Sequence, residues 1–366
     1  MIIGIDAREL EGEPAGVGVY LRNILQRITL PREANLQLYF KKEIPQSLPA
    51  VEAEHILLKS DSMNFLWQQW ILCRELNRRK VDLFFSPANS APWHFRGIQV
   101  LAVHDISFFR NPEWFSHKER ISRQLNTGCS VREADRIYTV SAYVRDELIS
   151  RFRLPASRVL VTSNGVERRP FDPSERNTLR QTYSLCGRKV ILYVGSVFNR
   201  RHVPVLIEAV SRMEPECFLV IIGKNRSHPY QDLAKIGKHF GVEQRLRLLE
   251  YAPDNMLHDY YRMADVFVYL SEYEGFGIPP LEAMSYSIPA VLSSTPAMDT
   301  IFHDAALFAK SISAEDVRTA LEQCLNDAAE RTRLIRAGNA LVEEYSWDRT
   351  AQVVSEDWER LLATRS

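Results

Sequence analysis

The sequence predicts an α/β protein made of two doubly wound parallel-sheet domains. Three observations carry that expectation. Short runs rich in Val, Ile, Leu and Phe alternate with longer amphipathic stretches, as in parallel strands buried on both faces by helices. The alternation comes in two consecutive series, separated by one polar stretch. A length of 366 residues also favours two domains over one.

In the first series the strand candidates are residues 2–6, 36–40, 55–59, 82–86, 100–104, 136–140 and 159–162. The pattern breaks at Ser163-Asn164-Gly165-Val166. Residues 167 to about 187, with Pro170 and Pro173 and no sustained periodicity, read as an interdomain linker. The second series is 189–196, 218–223, 246–251, 266–270, 290–293 and 306–309. Two such halves imply Rossmann-like domains facing each other across a cleft, assigned to residues 1–168 and 188–348. From Trp347 to about Thr364 a helical pattern puts Val354, Trp358, Leu361 and Leu362 on one apolar face.

The apolar share of 45% and charged share of 25% are those of an ordinary globular protein. Lys+Arg and Asp+Glu balance at 46 each, so the global field favours neither nucleic acid nor an anionic membrane. Five dispersed cysteines without a CxxC read as reduced thiols, not as zinc ligands or a disulfide frame. The chain opens on a strand-like run with no signal-peptide pattern, and no apolar run approaches the roughly 20 residues of a membrane-spanning helix. A cytoplasmic protein is expected.

The segment richest in chemistry is Ser271-Glu272-Tyr273-Glu274-Gly275-Phe276-Gly277-Ile278-Pro279-Pro280-Leu281-Glu282-Ala283-Met284. It follows the apolar run 266–270 and opens a helix, with the prolines suited to its first turn. Glu274 falls in the loop and Glu282 about one turn into the helix, near the carboxyl end of a strand, where open α/β sheets bind ligands. Carboxylates accept from sugar or ribose hydroxyls, and free backbone N–H groups at a helix start face an anion. Each acid read alone could equally be solvated or capping.

Other strand ends supply further candidates. Gly16-Val17-Gly18 precedes a helical run from about Leu21 and lets backbone approach a phosphate, although glycines in such turns also serve steric ends. His104-Asp105 ends the run 100–103, where the histidine is either a packed core residue or a ligand contact. Gly195-Ser196-Val197-Phe198-Asn199-Arg200-Arg201-His202 opens the second half, and adjacent arginines at a helix start suit a diphosphate, which Arg binds bidentately. Lys224, after Gly223, could add a cation. The stretch Trp114, Phe115, His117, Lys118, Arg120 and Arg123 could touch an acceptor or a membrane surface, or be a solvated helix face. No Asp-x-Asp and no P-loop occur.

Taken as a string, E-G-F-G-x-P-x-L-E-A-M resembles the Glu-x7-Glu signature of the retaining glycosyltransferases of family 4, and the resemblance extends over nearly the whole chain. It implies the GT-B fold, with the last helix, residues 349–366, crossing back onto the N-terminal domain. It also implies a metal-independent retaining transfer from a nucleotide-diphospho-sugar, with no further cofactor. The resemblance places Gly16 and Gly18 beside the donor phosphates and acceptor, and His104 on the transferred sugar. Arg201, helped by Arg200, Ser196, Lys224 and the backbone of Gly275, Phe276, Gly277 and Ile278, falls on the diphosphate. Glu274 falls on the hexose hydroxyls and Glu282 on the ribose. His104, Glu274 and Arg201 are the implied catalytic set, and no metal ligand is implied. The segment Tyr251-Ala252-Pro253-Asp254-Asn255-Met256-Leu257 resembles the stretch beside the nucleotide base.

This chain departs from the family pattern in several places. Arg201 stands where Lys is usual, His202 where Asn is, and Ser196 where some members have Arg. Tyr286-Ser287 replaces a frequent Cys-Gly pair, and Asp299-Thr300 lacks a neighbouring Glu. The segments Asn64-Phe65-Leu66-Trp67-Gln68-Gln69, Phe85-Ser86-Pro87-Ala88-Asn89 and Ala91-Pro92 resemble the bacterial mannosyltransferase branch that builds O-antigen and exopolysaccharide chains. That branch implies GDP-mannose as donor and a glycan or lipid-linked oligosaccharide as acceptor, with no nucleic-acid partner. Work at the inner face of the cell membrane, by peripheral contact, fits the same picture. A silent sugar-nucleotide sensor and a nicotinamide-dependent oxidoreductase are the alternatives from other classes, the latter lacking a full G-x-G-x-x-G fingerprint.

Overall fold

The structure is a computed structural model in which residues 1–12, 16–169 and 175–364 are described. The chain divides into two compact units, residues 1–165 with 346–366, and residues 166–345.

The first unit holds seven strands: β1 (Ile2–Asp6), β2 (Asn35–Phe40), β3 (Glu54–Leu57), β4 (Leu83–Ser86), β5 (Ile98–Val103), β6 (Arg136–Thr139) and β7 (Val159–Val161). They form one sheet in the order β3-β2-β1-β4-β5-β6-β7, parallel throughout. The second unit holds β8 (Lys189–Val194), β9 (Cys217–Ile222), β10 (Leu246–Leu249), β11 (Val266–Tyr269), β12 (Ala290–Ser293) and β13 (Ala306–Ala309). Its sheet runs β10-β9-β8-β11-β12-β13, again parallel. Each expected strand is present, with its ends within two residues of the expected bounds. Both are Rossmann-type orders. Strand order reverses between β1 and β4 in one sheet and between β8 and β11 in the other, and the crevice at such a reversal is where this architecture takes ligands.

The helix Trp347–Ala363 packs in the first unit's core, where Trp347, Val354, Trp358 and Leu362 join the side chains of β1, β2 and β4. Its buried Asp357 accepts from Tyr138 Oη at 2.9 Å and pairs with Arg136 at 3.0 Å. Thr350 Oγ1 donates to the Ser163 carbonyl at 2.6 Å. Thr350→Val should therefore lower stability by about 1 kcal/mol, the ordinary net worth of a hydrogen bond, as read by urea unfolding. An unchanged midpoint would mean that this bond does not help fix the helix.

Two expectations are corrected. The stretch 167–187 is not linker throughout. Glu175–Thr182 is a helix of the second unit, where Arg180 reaches the Met263 carbonyl at 2.8 Å and Asp265 at 2.5 Å. Polar anchors rather than an apolar stripe fasten it, so hydrophobic periodicity had nothing to register. Residues 170–174, with Pro170 and Pro173, lie outside the described residues, as do Arg365 and Ser366 at the end of the C-terminal segment. The first helix runs Val17–Leu25, so it begins four residues before Leu21 and takes Gly18 into its first turn. Among the described residues no helix is long and apolar enough to cross a membrane.

Candidate functional site

In the second unit the loops after β8 and β11, which flank the reversal of strand order, bring Arg201 against Glu274. The Arg201 Nε donates to Glu274 Oε1 at 2.9 Å, and its Nη1 donates to the Ser196 carbonyl at 2.9 Å. The guanidinium lies over the Tyr269 ring, 4.9 Å from its centroid, and Tyr269 stacks on Tyr193 at 5.7 Å. Tyr269 Oη and Ser271 Oγ add hydrogen bonds to the same oxygen, Glu274 Oε1, at 3.2 and 3.0 Å. Arg200 covers the Phe198 ring at 4.4 Å, and its carbonyl accepts from the Glu272 N–H at 3.0 Å, tying the two loops together.

The electrostatics follow. Burial pushes the Glu274 carboxyl up, but the charges of Arg201 and Arg200 and the hydrogen bonds from Arg201 and Ser271 outweigh it, holding Glu274 below the usual carboxylate range. Arg201 is driven the other way: burial lowers its pKa, and Glu274 more than compensates. The pair is ionised.

Glu282 sits in a different environment. Burial raises its pKa, and the Tyr261 hydroxyl, donating to Oε2 at 2.9 Å, offsets this only in part. Tyr261 is stacked on Tyr286 at 5.2 Å and 6°, and the Tyr286 hydroxyl is bonded to His258 Nδ1. Tyr286, the departure from the family's Cys, thus builds the wall that holds the partner of Glu282. Two largely enclosed carboxylates eight positions apart are pushed in opposite directions.

Backbone geometry prepares the same place. Gly277, at φ +99°, caps the helix Ile278–Ser285, with Pro279 and Pro280 in its first turn. Gly223 closes β9 so near the β8 loop that a Cβ would stand 2.0 Å from the Gly195 carbonyl oxygen, which only glycine permits. His202 has φ +46° and caps the helix Val203–Ser211, with Nε2 2.6 Å from Glu272 Oε1. A left-handed residue is needed there, which accounts for Asn as the family's usual choice and for His as a tolerated one. Ser196 enters through its carbonyl, and Lys224 is exposed beside the Val197 N–H, which its carbonyl accepts at 3.0 Å.

In the first unit, His104 follows β5. Its Nε2 donates to the Pro87 carbonyl at 2.7 Å, its ring stands edge-on to Tyr20 at 5.0 Å, and its backbone N–H is held by Asn89 Oδ1 at 3.0 Å. Burial lowers its pKa, against the Pro87 bond and Asp105, so the ring is neutral with Nδ1 as its acceptor. Asp105 accepts from the Ser107 N–H and hydroxyl at 3.0 and 2.6 Å and orients the loop. Gly16 caps the helix Val17–Leu25 at φ +52°; Glu13, Pro14 and Ala15 before it lie outside the described residues. The Asn64–Gln69 motif is absorbed by packing: Trp67 is buried, Gln68 bonds Asp6 and the Ser90 carbonyl, and Gln69 holds the Ala91 carbonyl and the Trp93 N–H.

Sequence reasoning missed the hydroxyl donors, Tyr269, Ser271 and Tyr261, and the brace Asn89. The one available signal was a Tyr closing the apolar run before an acidic loop. An interior tyrosine hydroxyl needs a partner, and the acidic loop after Tyr269 offered one in Glu274.

The comparisons with known proteins fit this geometry. Residues 175–340 match the family described as Glycosyl transferases group 1, and residues 30–169 match Glycosyltransferase Family 4. The chain is 29% identical to O-antigen chain mannosyltransferase B of Escherichia coli, over 93% of this chain and 95% of that one. It is 25% identical to O-antigen chain mannosyltransferase RfbU of Salmonella typhimurium, over 70% and 68% of the two chains. Among solved structures, the Anabaena protein HepE in complex with UDP and glucose superposes with a TM-score of 0.79 at 18% identity, covering 98% of this chain and 99% of that one.

Proposed function

The chain belongs to the family 4 glycosyltransferases and has their GT-B fold, and we propose that it moves mannose from GDP-mannose onto a growing glycan or lipid-linked glycan of the cell surface. The observation that carries the proposal is the convergence of Arg201, Arg200 and Glu274 with a capped helix start at the strand-order reversal of the second sheet. Nucleotide-sugar binding is supported by HepE, held with UDP and glucose, and mannose by the two O-antigen mannosyltransferases.

In this reading Glu282 takes the ribose hydroxyls. Arg201, Arg200 and Lys224, the Ser196 turn and the backbone of Gly275, Phe276, Gly277 and Ile278 face the diphosphate. Glu274 holds hexose hydroxyls, and in the first unit His104 keeps Nδ1 as an acceptor for a sugar hydroxyl, with only Nε2 bonded among the described residues. Transfer proceeds with retention. The bond from the anomeric carbon to the phosphate oxygen breaks with its electron pair leaving on the diphosphate. The acceptor oxygen attaches to the same face, and its proton passes to the departing phosphate. Positive side chains and helix-start N–H groups stabilise that leaving group without a metal.

Turnover should accordingly survive EDTA unchanged. Loss of activity on chelation, restored by Mg²⁺ or Mn²⁺, would overturn the leaving-group assignment. The donor is tested by a thermal-shift panel of nucleotide-sugars followed by a donor-hydrolysis assay, since a bound donor raises the melting temperature by mass action. GDP-mannose should give the largest shift and be slowly hydrolysed. A shift without turnover identifies a sensor instead.

A further inference from the structure

We propose that Tyr269 and Ser271 are positioning residues of this transferase: together with Arg201 they fasten Glu274 through one carboxylate oxygen and hold the other for the hydroxyls of the transferred sugar. The inference rests on the reading of Glu274 as the hexose contact and deepens it.

The geometry is one-sided. Among the described residues, the hydrogen bonds to the Glu274 carboxylate come from Arg201 Nε, Tyr269 Oη and Ser271 Oγ, at 2.9, 3.2 and 3.0 Å, and all three end on Oε1. An ionised carboxylate has two oxygens and about four acceptor positions. Saturating one oxygen fixes the plane and rotamer of the group and leaves the lone pairs of Oε2 for a ligand. The side chain keeps 13% of its surface exposed, while Tyr269 and Ser271 are almost wholly buried at 1% and 0%. Bulk water therefore does not compete for the two hydroxyls.

Each donor is itself held. The Tyr269 ring is held by Tyr193, stacked at 5.7 Å, and by the Arg201 guanidinium at 4.9 Å, so its hydroxyl has little freedom to turn elsewhere. Ser271 is anchored to β12 by two bonds: its N–H donates to Ser293 Oγ, and Ser293 Oγ donates to its carbonyl, both at 2.7 Å. Its hydroxyl also lies 3.0 Å from the Tyr273 carbonyl, and the ionised Glu274 is the stronger acceptor of the two. A sugar-binding carboxylate on a glycine-rich loop needs such support, because a loose group of the right type binds its ligand weakly.

The test uses the full chain carrying Tyr269→Phe or Ser271→Ala, both smaller by only an oxygen, with GDP and GDP-mannose as probes in calorimetry. GDP affinity should match that of the parent protein, while the advantage of GDP-mannose over GDP should shrink by about tenfold, the usual worth of a hydrogen bond to a charged group. In turnover, kcat should fall with KM for the donor changed less, and the acid limb of the rate profile should move to higher pH as Glu274 loses donors that favour its charged form. Equal weakening of GDP and GDP-mannose, or unchanged hexose preference in well-folded variants, would overturn the proposal. So would a parent protein that shows no preference for GDP-mannose or any other nucleotide-sugar over its nucleotide. If the parent binds a nucleotide-sugar but transfers nothing, the transferase reading fails, and the binding comparison still decides on Tyr269 and Ser271.

Discussion

Arg201→Ala should leave a folded protein that has lost roughly thirty- to a thousand-fold in kcat/KM, the range for removing a charged donor from a developing leaving group. Two losses combine in this variant. On the proposed reading the diphosphate loses a cation, and Glu274 loses Arg201, the stronger of its two positive neighbours, together with the bond from Nε. With Tyr269, Ser271 and Arg200 still beside it, Glu274 is nonetheless shifted toward its protonated form, because its burial is less well compensated. The variant should therefore also lose the preference for GDP-mannose over GDP, which a pure phosphate contact would leave intact. Arg201→Lys, the family's usual residue, should restore part of the rate. It returns the charge, but not the Nε and Nη1 pair that spans Glu274 and the Ser196 carbonyl. Steady-state kinetics with a melting curve for each variant checks this. If Arg200→Ala proves the more damaging substitution, the phosphate contact belongs to Arg200, and Arg201 serves Glu274 alone.

The contact between Arg201 and Glu274 marks the limit of what the sequence could say. Most of the thirteen strands were legible because a strand covered on both faces must be continuously apolar, as Val190–Tyr193 and Val266–Tyr269 are, while the edge strands β3 and β10 are partly exposed. The loops carrying Arg201 and Glu274 were legible too, as glycine-containing turns at the ends of apolar runs. Their mutual contact was not. Residues 73 positions apart leave no periodic trace of a 2.9 Å bond, and a cation next to a phosphate site looks the same in sequence whether it meets the ligand or a carboxylate. The tyrosines were hidden for a related reason: Tyr269 and Tyr261 satisfy the apolar pattern through their rings, and only the folded chain shows where the hydroxyls end. The helix Glu175–Thr182 escaped because its anchors are Arg180 and Arg176 on Asp265, charges that a sequence reading assigns to solvent.

The two glutamates should part company under substitution and under acid. If Glu274 holds the hexose, Glu274→Gln should bind GDP as the parent does yet transfer far more slowly, because the sugar is no longer gripped as it departs. Glu282→Gln should weaken GDP and GDP-mannose alike, since both carry the ribose. Hydrogen bonds to a charged group are worth roughly 1.5–3 kcal/mol, so each loss should be about tenfold or more. The structure adds a pH signature with a definite sign. Glu282 lies above the ordinary carboxyl range because burial penalises its charge, and Glu274 lies below it because Arg201 and Arg200 outweigh its burial. As pH falls, Glu282 takes its proton first, and GDP affinity should weaken while the hexose contact of Glu274 persists. The ratio of GDP-mannose to GDP affinity should hold until the pH drops below the usual carboxyl range. Calorimetry with both ligands across that interval, on the parent protein and the two Gln variants, measures the separation. Equal losses from the two substitutions, or a hexose preference that disappears together with GDP affinity, would mean that the pair acts as one electrostatic patch.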